Sequence, residues 1–483
     1  MADASVKARL AKWFRGSQMT IVLRAWESHV HREGSAANQP QRRHVMLQTK
    51  QPELTETKLM RIAQLSRENP NSEFRWLMPH YNQSSLMGCF NGLDGKKAVG
   101  ADGIGKAKYR TEVDANLASL IEKMKSMSYR PGPVREVMIP KEGKPGAVRP
   151  LGISNFEDKV VQLMTSKILG AIYEPTFLDC SYGFRPERSC HTAIKDLRNH
   201  LFKSHCEVVI DVDLRNFFGT IDHEELLKIL RTRIKDETFI RYIVRMLKAG
   251  ILSDGELRVT EEGSPQGNVS SPILSNIYGH YVIDCWFEDV VKKHALKPVK
   301  LFRYCDDIVI CCDDAQDAER IKRALKGRLE KYSLELNLEK TRTVAFNKRA
   351  FERGEKQGTF DFLGFTFYLA HSRGGNVTVK LKTSRKRLRS KLQKVTEWMK
   401  SHRHSLRLKS LWLLFTAKLA GHARYFGVSF NSASVSQFLH AARRIFFKWI
   451  NRRSQKKSFT WEKFDLFTKR YPLPKVKVHH PLF

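Results

Sequence analysis

The chain lacks most of what would carry it out of a cell or into a membrane. No apolar run approaches the roughly 18 to 20 residues needed to cross a bilayer. The amino terminus, "MADASVKARLAKWFRG", sets charges where a secretory signal needs its apolar segment, which argues against secretion. An amphipathic targeting helix is the alternative use of that stretch. Eight cysteines, at 89, 180, 190, 206, 285, 305, 311 and 312, form no C-x-x-C pair. Zinc modules and a disulfide framework are therefore disfavoured, and a reducing, intracellular setting is expected. Acid is nearly missing from one long segment: residues 381–457 hold 20 Lys or Arg and a single acid, Glu397. The whole chain carries 85 Lys+Arg against 50 Asp+Glu, a formal +35, so more than half of the excess lies there. Such segregation marks an electrostatic footprint for a polyanion; a merely soluble basic surface would spread its charge.

What is present organises into several segments. Residues 1–54 are basic, polar and irregular after a first short helical stretch. "LTETKLMRIAQLSRENP" has helical spacing and stops at a proline. The glycine-rich run "NGLDGKKAVGADGIGK", residues 91–106, reads as a flexible loop, without the strand-then-helix setting of a phosphate-binding fingerprint. In the middle of the chain, short β-rich runs ("CEVVIDVDL", "LFRYCDDIVICC", "FDFLGFTFYL") mix with amphipathic helices such as "DHEELLKILRTRI", which opens on a capping box from Asp222 to Glu225. Strands and helices do not alternate as in a doubly wound sheet, so the fold class is α+β. Beyond about residue 383 the pattern is helical and basic throughout.

One stretch stands apart. "RYCDDIVI", residues 303–310, places Asp306 and Asp307 side by side within apolar sequence. Adjacent carboxylates in a low-dielectric setting resist ionisation unless a cation or hydrogen bonds compensate. In "VVIDVDL" the two-residue period of a strand sends Asp211 and Asp213 to one face. If "LFRY" and "IVICC" form a tight hairpin beside that strand, Asp213, Asp306 and Asp307 converge. Oxygen-only ligands suit Mg²⁺ or Mn²⁺, and a two-metal site serves in-line phosphoryl displacement. The bland alternative is an ordinary D-D surface turn, which the flanking apolar residues disfavour.

These residues resemble a known family. "RYCDDIVI" resembles the Y-x-D-D motif of reverse transcriptases, and the likeness runs in order along the chain. "VVIDVDLRNFFGTIDH" is similar to the first catalytic strand, "GSPQGNVSSPILSNIY" to the P-Q-G motif, and "LNLEKT" and "FLGF" to the later palm motifs. "IPKEGKPGAVRPLGI" and "SYGFRPERSCHTAI" resemble the fingers motifs of the group II intron branch, and "LAGHARYFGVSF" through "KWINRRSQKKSFTWEKF" its maturase thumb. The likeness covers residue 55 to the end. It implies a right-hand polymerase of fingers and palm with an antiparallel sheet, followed by an all-helical thumb/maturase domain. The implied divisions are a poorly structured 1–54, an extension and fingers over 55–205, a palm over 206–375, and an RNA-binding thumb over 376–483.

The resemblance also implies roles. Asp213, Asp306 and Asp307 would hold two Mg²⁺ ions, with Mn²⁺ as substitute. Phe218 would stack under the incoming sugar and exclude a 2′-hydroxyl, whereas the neighbouring Phe217 reads as core. Lys141 and Arg149 would grip the nucleotide phosphates, Gln266 would contact the nucleotide or its template base, and Lys340 would protonate the leaving pyrophosphate or simply sit in solvent. Gly364, at the turn of "FLGF", would steady the primer end. The implied partners are a structured group II intron RNA, a DNA primer or target, and dNTPs, with no membrane. The implied activity is RNA-directed DNA synthesis joined to intron splicing and mobility, in the bacterial cytoplasm at the nucleoid, with organellar import the alternative. Two competing readings keep the fold: a domesticated enzyme in phage defence or DNA repair, and a non-enzymatic splicing cofactor. Three departures from the family pattern stand out. Gly219 occupies a position usually held by Asp, the loop between Lys141 and Arg149 is about two residues longer than the common spacing, and Cys305 replaces the usual Ala with a thiol that, beside a metal site, could bind soft metals or be oxidised. The family's cysteine-bearing endonuclease segment is also not expected here.

Overall fold

Period-two alternation builds the centre of the molecule. The computed structural model describes residues 52–140, 146, 148–253, 256–258, 262–263, 267–453 and 459–483. The expected amino-terminal segment 1–54 therefore lies, up to residue 51, outside the described residues.

The first helices, α1 (Pro52–Glu68), α2 (Gln83–Gly92) and α3 (Val113–Lys125), lead into strands β1 (Val134–Pro140) and β2 (Val148–Ile153). Helices α4 (Phe156–Tyr173) and α5 (Cys190–Lys203) precede β3 (Val208–Arg215). Then come α6 (His223–Arg233), α7 (Glu237–Leu247), the short strands β4 (Ile251–Ser253) and β5 (Glu256–Arg258), and α8 (Ser271–Gly279), which continues through π-helical turns. β6 (Val299–Tyr304) and β7 (Asp307–Cys312) form a hairpin, followed by α9 (Ala315–Lys331), β8 (Glu335–Leu336) and β9 (Arg342–Ala345). A meander, β10 (Phe360–Phe362), β11 (Phe365–His371) and β12 (Val377–Thr383), gives way to α10 (Arg385–His402), α11 (Leu408–Phe426), α12 (Ser432–Ile450) and α13 (Trp461–Arg470).

Three sheets result. β3 lies in the largest, antiparallel to β7 on one side and to β8 and β9 on the other, with β6 beyond β7. A second sheet runs β2-β1-β4-β5, with β1 and β4 parallel; the third is the β10-β11-β12 meander. The large sheet divides two cores. Val208, Ile210, Val212 and Leu214 of β3, with Ile308 and Ile310 of β7, join the core formed with α4 and α6 to α9. Val209, Val309 and Cys311 face the other way, into a core shared with α5, the meander and the C-terminal helices. Along that second face the pattern ends in Asp211 and Asp213, where the sheet leaves the core and the side chains become partly exposed.

The fold is α+β with a central antiparallel sheet. Two local expectations change. The glycine-rich run 91–106 is tied down: Lys159 Nζ donates to Ala98 O at 2.8 Å, Arg135 to Val99 O at 2.8 Å, and Asp102 N to Asn155 Oδ1 at 3.2 Å. Partners some 36 to 61 residues away supply the order that local composition cannot. The switch from strand to helix comes at Ser384, beside the expected residue 383, because β12 pairs along its whole length with β11. The capping box of α6 is half formed. Asp222 accepts from Glu225 N at 2.8 Å, while the Glu225 carboxylate takes Lys228 instead.

Candidate active site

The β6–β7 hairpin turns through two residues, Cys305 and Asp306, with Cys305 at φ +58°. Register does the rest: Asp307 pairs with Tyr304 on one side and lies directly opposite Asp213 of β3 on the other. The three aspartates singled out in the sequence thus meet at one end of the sheet.

Their surroundings show what they compensate with. Lys340, on the turn between β8 and β9, places Nζ 2.9 Å from Asp213 Oδ2, and Asn337 Nδ2 donates to the same oxygen at 3.0 Å. The Asp213 backbone is also held, its N–H donating to Thr341 Oγ1 and its C=O receiving Asn337 N–H. Burial raises the Asp306 carboxyl above the usual range, and the nearby Asp213 charge adds to it while Arg149 opposes it. Burial and the Asp306 charge do the same to Asp307, against Arg387. Solvent still reaches both side chains, which limits the rise. Asp211 pairs with Arg342 at 2.8 Å.

Among the described residues no three His, Cys, Asp or Glu side chains form a ready-made cation cage. The donor set nevertheless fits a hard divalent ion. It is all oxygen, two of its carboxylates are raised by burial first and by a neighbouring carboxylate charge second, and a lysine ammonium already occupies a cation's place at the third.

The other expected residues distribute as follows. Phe217 is 2% exposed and part of the core, and Phe218, its ring 5.7 Å away, is half-buried beside the turn that leaves β3. Gly219 closes that turn, its N–H donating to Asn216 O at 2.7 Å; a Cβ there would stand 2.2 Å from the Asn216 amide nitrogen, so an Asp would displace that flexible side chain. Arg149 lies on β2, near enough to oppose the rise at Asp306. Lys141 and Gln266 lie outside the described residues, although β1 ends at the residue before Lys141 and Gly267 follows Gln266 directly. Leu363 and Gly364 both have positive φ, +50° and +85°, and close the β10–β11 turn, with Arg387 packed over Gly364.

A family model for reverse transcriptases (RNA-dependent DNA polymerases) matches residues 139–367, a span that contains the hairpin, β3 and Arg149. The chain is 32% identical over 315 residues to Protein YkfC of Escherichia coli strain K12, covering 59% of this chain and 80% of that protein. It is 34% identical over 223 residues to the group II intron-encoded protein LtrA of Lactococcus lactis subsp. cremoris, covering 46% of this chain and 37% of LtrA. The chain belongs to the group II intron reverse transcriptase/maturase family. A third relative, the putative COX1/OXI3 intron 1 protein of Saccharomyces cerevisiae, is 29% identical over 341 residues, 61% of this chain and 40% of the relative. The matches thus span less than half of both intron-encoded relatives.

In this reverse transcriptase the residues beneath the hairpin are the ones sequence reading missed. Arg303, fully buried on β6, donates to Asp284 through Nε (2.6 Å) and Nη2 (2.5 Å), and to Ser181 Oγ (2.9 Å) and Asn276 Oδ1 (3.3 Å). Asn276 in turn donates to Gly183 O at 2.6 Å. Gly183 lies so close to the turn that a Cβ would stand 2.3 Å from Cys305 Sγ. The thiol at 305 is therefore buried in packing, and burial with the Asp306 charge holds it protonated. The expectation of a thiol open to soft metals or oxidants is corrected accordingly. Cys305 is small because its floor is a glycine backbone.

Proposed function

We propose that this reverse transcriptase copies RNA into DNA by two-metal nucleotidyl transfer and also binds and helps to splice a structured intron RNA. The observation that carries the polymerase part is the register that sets Asp213 opposite Asp307 with Asp306 on the adjoining two-residue turn. Asp213, Asp306 and Asp307 would hold Mg²⁺, which when bound activates the primer 3′-hydroxyl and offsets charge on the triphosphate. Lys340, now on Asp213, would give up that oxygen and face the leaving pyrophosphate. Arg149, with Lys141, would bind the phosphates; Phe218, at the mouth of the turn leaving β3, would lie under the sugar; Gln266 would meet the base pair; and the Leu363–Gly364 turn would support the primer end.

On this reading the sheet units over 55–375 serve as fingers and palm, and the helices after Ser384 as thumb. The excess of Lys and Arg in those helices supports RNA binding. Trp449 is half-buried and ringed by Lys400, Arg403 and Arg452 at 5.4, 4.9 and 5.2 Å, cations and an aromatic face offered together. The intron-encoded relatives support a partner RNA of that class. Purified protein with Mg²⁺, an RNA template and a DNA primer is expected to extend the primer. Asp306→Ala should abolish extension and leave RNA affinity unchanged; wild-type protein that binds RNA but never extends would defeat the polymerase reading.

A further inference from the structure

We infer that Gln162 is a positioning residue for the nucleotide pocket, acting through a buried polar network on the segment after Gln266; the inference rests on the polymerase reading above. Helix α4 is apolar along most of its buried length, yet Gln162 and Ser166, one turn apart, turn polar groups toward residues 268–269. Gln162 Nε2 donates to Ser154 Oγ (3.1 Å), and Ser154 donates onward to Asn268 Oδ1 (2.6 Å). Gln162 Oε1 receives Val269 N–H (3.0 Å), while Ser166 Oγ donates to Gln162 O (2.8 Å) and lies 3.3 Å from Val269 O. Gln162, Ser154, Asn268 and Ser166 are all buried.

The same segment touches β2 directly. At Gly267, φ +118°, a Cβ would stand 2.3 Å from Gly152 O, so backbone lies on backbone. Residues 267–269 are thus fixed to the end of the strand that carries Arg149, three residues earlier. A satisfied network of this kind fixes one arrangement where apolar side chains of similar volume would allow several. Its place, between the strand bearing Arg149 and residues 267–269, makes the fixed arrangement that of the two walls that on this reading meet the nucleotide.

The test is Gln162→Leu, which keeps the volume and removes both side-chain bonds. The KM for dNTP should rise about tenfold while kcat and the primer–template Kd stay within about twofold. Adding Ser154→Ala should change KM little further, as expected of one network. Thr165→Val, which removes a buried bond of the same helix to Tyr81 (2.6 Å), is the control. A KM rise of equal size in Thr165→Val, or a lowered Tm in Gln162→Leu with KM unmoved, overturns the inference. Should wild type extend no primer, the polymerase reading falls, and equilibrium binding of Mg²⁺–dNTP decides this one: about tenfold weaker binding by Gln162→Leu upholds it, and equal binding refutes it.

Discussion

Single residues carry charge that the fold must balance. Asp158, in the first turn of α4, is buried and accepts from Tyr129 Oη (2.6 Å) and Gly132 N (3.0 Å). Burial pushes its carboxyl up to about 6, with those two hydrogen bonds holding the rise in check. The folded chain therefore binds this proton more tightly than the unfolded chain does. Its contribution is fully present below the ordinary carboxylate range and is lost as pH rises through about 6. The shift corresponds to about 3 kcal/mol as an order of magnitude. Denaturant titrations at pH 4.5 and 7 should show the stability difference between wild type and Asp158→Asn moving by up to that amount against wild type; no change with pH would mean the carboxyl ionises normally.

Between elements, the β6–β7 hairpin rests on a buried ion pair. Arg303→Met strands the Asp284 carboxylate in the interior and should cost about 3 to 5 kcal/mol in urea unfolding. Adding Asp284→Leu should restore much of that stability. Activity should stay low in the double variant, because the bonds from Arg303 to Ser181 and Asn276 remain lost. How much of this was legible follows from distance along the chain. Asp213, Asp306 and Asp307 could be read because alternation and a two-residue turn are local. The partners of Arg303 are 19, 27 and 122 residues away, and those of Gln162 on the far segment 107, so no periodicity encodes them. A signal existed for the first: a lone arginine in the apolar run "LFRY" needs a buried acid, and helix α8 with its continuation holds Asp284. The glycine-rich run 91–106 misled for the converse reason, its composition being local and its restraints distant.

At the scale of the whole molecule, the formal +35 is concentrated where the helices follow the sheets. Affinity for intron RNA should fall linearly in log–log plots against salt. Replacing Lys400, Arg403 and Arg452 together with Gln should flatten that slope by about 2, at roughly 0.7 per phosphate contact released. Filter binding from 50 to 500 mM KCl measures it, and an unchanged slope would place the RNA elsewhere. Among the described residues no helix is long and apolar enough to cross a membrane.

The close approach of Gly183 to Cys305 has a consequence for how such a chain can change over generations. The two positions form one heritable unit. Residue 305 can drift among small side chains only while 183 stays glycine, and a larger residue at 183 would unseat the turn with all three aspartates still encoded. A gene copy could thus lose polymerase function while its aspartates persist, so that intact aspartates alone would overstate how many descendants remain active.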